Sequence, residues 1–368
     1  MKKKLIVFSS LLISAVLVAG CAAPAAPAAP AAPAAPAGQA DAADEPEAGG
    51  DIDPMTIRFG HAGPNDPTDQ MQYGALIFAE RVYELSGGAM EVQVFPASQL
   101  GDTRTMIESV QMGTLHMGDF ENAPMTGFVP ETTWIDLPYI IHDYDHATRI
   151  WDADSGVSQW IRPIFLERNL RILGVAHAGM RHMMNNARPI YHPSDMEGLL
   201  IRVMESEVMI QSINAFGATA TPIPFAELYT ALQLGTVDGN EQPFSFALSM
   251  GFYEVQNYMS LTGHFYLPRN YVFSEILWQQ MSPAQRAVVE EATAYTIGRM
   301  NDFHFANQER LVASLLENGL SINELSDEGL AAFRERGASV WPMFYGHIGS
   351  GDEARGREIL DMIMSYAQ

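Results

Sequence analysis

Two arginines carry the clearest chemical signal in this 368-residue chain. Arg202 lies inside the apolar run GLLIRVM (Gly198 to Met204), and Arg181 precedes it in AGMRHMMNN. A guanidinium on a hydrophobic strand is costly to desolvate unless an anion meets it, and its planar fork of donors suits a carboxylate through two parallel hydrogen bonds. The anion comes either from the fold, where Glu205 and Glu207 are the nearest in sequence, or from a ligand. The second source defines a binding site for an organic acid.

Other chemistries find little support. No nucleophile elbow, HExxH, Walker loop or strand-linked GxGxxG occurs, which argues against a hydrolase, a nucleotide enzyme or a dinucleotide enzyme. HDYDH (His142 to His146) could offer two histidines to a metal, but Asp145 reads as the N-cap of a helix from His146 to Trp151, which separates them. DADSG (Asp152 to Gly156) lacks the remaining ligands and closing glutamate of a calcium loop and reads as a solvated turn. The reading is of a protein that is not an enzyme, with no metal and no cofactor.

The elements that must position these arginines alternate between strand and helix. MTIRFGH and MEVQVFP have period two, and Thr68 to Ser86 between them has helical period and ends at Gly87 and Gly88. A helix follows from about Asp102 to Met112, then strands near Leu115 to Gly118 and from Ile172 to Ala176. The next strand, Leu200 to Val203, carries Arg202 and leads to helices Ser206 to Phe216 and Phe225 to Leu234. This is an α/β chain. Ser282 as N-cap and Pro283 at the first helical position open a pattern that runs without proline to Gly319. One helix of roughly 35 residues would span about 50 Å, enough to run beneath two domains, and two helices kinked near Gly298 or Asn301 are the alternative.

Length and 47% hydrophobic content allow two ordinary domains. The net charge of -23 argues against nucleic acid or an anionic membrane surface as partner, so an anionic ligand needs local cations. Lys2 to Lys4, the apolar stretch Leu5 to Val18 and LVAGC (Leu17 to Cys21) read as a targeting segment that resembles a bacterial lipobox. By that resemblance the leader is cut before Cys21, the sole cysteine, whose thiol is acylated. The prolines at 24, 27, 30, 33 and 36 then favour an extended tether. The expected location is extracytoplasmic, on a lipid anchor, in the periplasm or at the cell surface.

A family resemblance rests on FPASQLGDTRTMIESVQMGTLHM (Phe95 to Met117), LPYII (Leu137 to Ile141), AGMRHMMNN, LLIRV, TPIPFAELYTALQLGTVDG and FYEVQNYMSLTGH (Phe252 to His264). From about Met55 to Gln368 the body resembles the DctP-like solute receptors of tripartite ATP-independent periplasmic (TRAP) transporters. The resemblance implies a two-lobed periplasmic-binding-protein-like α/β fold with one long helix spanning both lobes. The expected division is a leader at 1–20, a tether at 21–53, one lobe at 54–178 plus 268–307 and the other at 179–267 plus 308–368. It also implies capture of a small organic acid by its carboxylate and delivery to membrane permease subunits. An ABC-type receptor is the alternative within the class; an exported enzyme or a sensor ectodomain is the alternative outside it.

Carried over by position, Arg202 matches the family arginine that clamps the ligand carboxylate, and Arg181 a second arginine lining the cleft. Phe225 falls where the family often has an aromatic wall. The family loop DGQEN followed by proline reads DGNEQP here, so Gln242 replaces an asparagine that often contacts ligand. Glu121, in DFENAP, sits where some members have an acid facing the cleft. Asn65, in HAGPND, is a cleft candidate from the first strand-to-helix turn, with a turn-forming role as the alternative. Trp134 is read as packing near LPYII rather than flanking the cleft.

Overall fold

The structure, a computed structural model, describes residues 52–367; the leader, Cys21 and most of the tether lie outside them. Among the described residues nine strands form one hydrogen-bonded sheet. In chain order they are β1 (Met55–Gly60), β2 (Met90–Phe95), β3 (Met117–Phe120), β4 (Leu170–Asn185), β5 (Leu200–Val203), β6 (Thr219–Pro222), β7 (Gly239–Gln242), β8 (Tyr258–Ser274) and β9 (Ser321–Asn323). The spatial order is β2-β1-β3-β8-β4-β7-β5-β6, with β9 beside β8. One lobe is built on β1 to β3 and the other on β5 to β7.

The two lobes are joined by the antiparallel ribbon of β4 and β8, 16 and 17 residues long. The start of β4 pairs with the end of β8, which also carries β3, while the end of β4 pairs with the start of β8 and with β7. Sequence reading ended this strand at Ala176. It continues through Arg181, because Ala178 and His182 are accommodated as bulges between His177 and Gly179 and between Arg181 and Met183. Gly179 has φ of 128°, a region closed to most side chains, and a Cβ there would lie 3.0 Å from Cβ of Pro243. The ribbon therefore bends where it passes between lobes.

The long helix is single and spans Pro283–Glu317, 35 residues, with a capping box between Ser282 and Gln285. Val288, Val289, Ala292 and Met300 join the core that holds Phe59 and Phe78, while Leu315 joins the core of Leu228 and Phe252. It thus braces both lobes. The expected boundary needs one correction at the C-terminus. Helix Asp327–Ala338 lies on helix Glu207–Phe216, but Tyr345–Ile348 and Glu353–Ser365 lie on Pro130–Asp136 and Gly156–Glu167. Ile359, Leu360 and Ile363 share a core with Ile150 and Val157, so residues 308–368 do not pack wholly with the second lobe.

Two local expectations also shift. The cap of helix Tyr144–Trp151 is Asp143, whose carboxylate accepts from His146 N, not Asp145. The segment from Phe225 starts as a 3-10 turn and becomes α-helical only over Leu228–Gln233. Among the described residues no helix is long and apolar enough to cross a membrane.

Candidate functional site: a buried arginine at the cleft between lobes

Arg202 sits on β5 between β6 and β7, fixed by the pairings Arg202 with Thr221 and Ile201 with Gly239. Leu200 N donates to Asp238 Oδ2 at 2.8 Å, which anchors the strand's start. Alternation turns Ile201 and Val203 into the core and sends Arg202 the other way. The side chain is 1% exposed, its Nε donates to Ile223 O at 2.8 Å, and Nη1 has no partner. No carboxylate of the described residues forms an ion pair with it, Glu205 and Glu207 included. Burial lowers its pKa to about 10 against the distant pull of Glu241. A guanidinium left this way still needs an anion.

Arg202 lines a small cavity with Thr103, Glu121 and Arg104 from one lobe and with Glu205, Ile223 and Phe225 from the other. Its volume is about 20 Å³, room for roughly one water. A larger ligand enters only when the two walls part. Phe225 is half-buried and packs on Phe246 and Phe252, with ring centroids 5.9 and 6.2 Å away.

Arg181 has a different environment. It is 2% exposed, and Glu241, fully buried on β7, takes its Nε and Nη2 in a bidentate pair; Nη2 also donates to Glu241 O at 2.6 Å. His264 completes the group, its Nε2 4.0 Å from Glu241 Oε2. Burial, then Arg181, push the His264 pKa well below its usual value, so the ring is neutral. Thr262 Oγ1 accepts from Met183 N and lies 2.8 Å from His264 Nδ1. Arg181 thus has its anion from the fold, and it does not line the Arg202 cavity.

The remaining sequence candidates divide. Glu121 lines the cavity and is held by Arg269, whose Nη1 lies 2.6 Å from Oε1. Burial opposes its charge, but the Arg269 charge and hydrogen bond outweigh burial and lower its pKa. Gln242 is 1% exposed, lies opposite His182 in the β4–β7 register, has both amide atoms unpartnered and stays outside the cavity. Asn65 lies on an exposed bend away from it, because that turn sends Asp69 inward instead, as cap of helix Gln70–Leu85. Trp134 is core, its ring 5.8 Å from Trp151. His146 spends both ring nitrogens on the fold, accepting from His142 N and facing Ile363 O, and no metal-holding group occurs among the described residues.

Sequence reading missed the most heavily paired cation. Arg269 on β8 is fully buried, donates Nε to Asp119 Oδ1 at 2.8 Å and binds Glu121. Its place in the apolar run FYLPRNYVFS is the same signal that marked Arg202.

Asp136 is another buried acid, accepting from Asn122 Nδ2 at 2.8 Å. Burial raises its pKa from 3.8 to about 7, against the Asn122 hydrogen bond and the Arg181 charge. A folded-state pKa above the unfolded one means that the native state holds the proton more tightly, so stability falls as pH rises between about 4 and 7. Asp119, raised by burial to about 6, adds a slope of the same sign. Asp136→Asn is expected to raise stability at pH 8 by an amount on the order of 1 kcal/mol or more and to flatten that slope. Urea denaturation at pH 5 and pH 8 checks it; an unchanged slope sinks the assignment.

Comparison with known proteins agrees with this architecture. Residues 59–347 match the family model DctP, bacterial extracellular solute-binding protein, family 7. A solute-binding protein of Verminephrobacter eiseniae is 38% identical over 216 residues, 58% of this chain and 64% of that protein. The 2,3-diketo-L-gulonate-binding periplasmic protein YiaO of Escherichia coli is 30% identical over 302 residues, 81% of this chain and 89% of that one. A TRAP periplasmic solute binding protein from Sulfurospirillum deleyianum, solved with bound succinate, superposes with a TM-score of 0.78 at 30% identity, covering 85% of this chain and 99% of its own. With its bent two-strand ribbon, bracing helix and family match, the chain belongs to the DctP family, the solute receptors of TRAP transporters.

Proposed function

We propose that this protein captures a small organic acid by its carboxylate at Arg202, closes over it and passes it to a membrane permease. The observation that carries the reading is a buried guanidinium with Nη1 unpartnered and no ion pair in the fold, facing a cavity walled by both lobes. The chemistry is binding alone: Arg202 supplies charge-assisted hydrogen bonds, and closure strengthens them by excluding water. Relatives that bind 2,3-diketo-L-gulonate and succinate favour an acid as ligand. A thermal-shift screen over organic acids tests it, since a ligand at ~1,000 times its Kd stabilises by about 4 kcal/mol. If no carboxylate moves the melting temperature, the reading fails.

The placement outside the cytoplasm on a lipid anchor rests on LVAGC and the proline-repeat tether. Cys21→Ser is expected to abolish incorporation of labelled palmitate and to move the protein from the membrane to the soluble extracytoplasmic fraction. Labelling that persists in the variant counts against Cys21.

A further inference from the structure

A second cavity, of about 660 Å³, lies against the ribbon and shares no lining residue with that of Arg202. Its volume falls within the ~300–1,000 Å³ of small-molecule sites. Met180, His182 and Leu261 line it from β4 and β8, Leu330 and Arg334 from helix Asp327–Ala338, and Tyr139 from the turn after Pro130–Asp136. Its walls are set by the fold. Tyr139 has φ of 61°, a conformation that a bulky residue keeps only where its surroundings impose it. Tyr139 N donates to His264 O at 2.9 Å and Oη to Thr262 O at 3.1 Å, while Trp341 Nε1 donates to Pro138 O at 3.0 Å. The tyrosine ring is thereby held beneath Arg334, whose guanidinium carbon lies 5.8 Å from the ring centroid.

The charge of this cavity is one-sided. Arg334 is exposed and has no ion pair among the described residues, and none of the described Asp or Glu residues stands on the lining, in a chain of net charge -23. His182 adds a neutral donor: Nδ1 accepts from Gly263 N at 3.1 Å and burial lowers the ring pKa to about 4, so the proton sits on Nε2. A cationic ligand meets like charge at Arg334. A second anionic group on a ligand would be desolvated against Met180, Leu261 and Leu330 with no cation to meet it. An apolar body fits those walls, and Tyr144 and Trp341 add aromatic faces to them. We infer that this cavity is a second ligand site, for a monocarboxylate with an aromatic body, whose ring packs on Met180, Leu261 and Trp341 and whose carboxylate meets Arg334.

Calorimetric titration of Arg202→Ala tests the site, since that background lacks the clamp for the captured acid. Indole-3-acetate and phenylacetate are compared with their uncharged amides and with acetate, which has no ring. At least one aryl acid is expected to bind with a stoichiometry of one, about fivefold or more tighter than its amide, and acetate is expected not to bind. Arg334→Ala in the same background is expected to reduce the acid to the affinity of the amide. Ala338→Trp, at an exposed position on the lining, is expected to abolish binding of acid and amide alike by filling the cavity. No binding by either aryl acid, equal affinity of acid and amide, or an affinity unchanged in either added variant overturns the inference. Each of those results leaves the receptor reading standing, because the two cavities have no residue in common.

Discussion

Arg202→Ala is expected to abolish acid-induced stabilisation while the ligand-free protein melts at the same temperature or higher. The guanidinium makes one hydrogen bond to the fold, to Ile223 O, and has no ion pair among the described residues. Removing it therefore strands no buried carboxylate and relieves a desolvated charge. Binding loses a bidentate, charge-assisted contact, and truncating one partner of such a pair costs about 2–5 kcal/mol, or roughly 30- to several-thousandfold in Kd. Arg202→Lys is expected to bind poorly too, because an ammonium cannot reproduce the fork. Titration of the acid that shifts wild type most checks both variants. Binding within threefold of wild type in Arg202→Ala ends the clamp assignment.

The sequence showed the alternation of strands and helices and the long helix clearly, because period and capping residues are local. Ser282 and Pro283 mark that helix start in the sequence, and Ser282 forms a capping box with Gln285 in the fold. The packing of the last two helices was not legible, since nothing local shows that Ile363 meets the segment around His146. The site was legible only to the level of residue type. Arg181, Arg202 and Arg269 all stand in apolar strand sequence, yet two of them take their anions from strands remote in sequence, Glu241 on β7 and Asp119 on β3. An arginine in an apolar run therefore announces an anion without saying whose. Only the register of β4 with β7 and of β3 with β8 separates the paired arginines from the open one.

That difference predicts opposite behaviour for Arg181. Glu241→Ala is expected to destabilise the protein by about 3–5 kcal/mol, because Arg181 stays buried with its charge uncompensated. The loss should exceed that from Arg202→Ala by a wide margin, since Arg202 leaves no paired charge behind. Glu241→Leu combined with Arg181→Met is expected to recover most of it, since a matched apolar pair removes both desolvation costs. His264 offers no rescue in the single variant: it is neutral and supplies no anion to Arg181. Urea unfolding of the two single variants and the double variant gives the coupling energy. A near-additive cycle would mean that the Arg181–Glu241 contact contributes little beyond packing. A large coupling with weakened acid binding in the double variant would instead mean that the pair, though closed on itself, sets the position of β7 beside β5 and so the aim of Arg202.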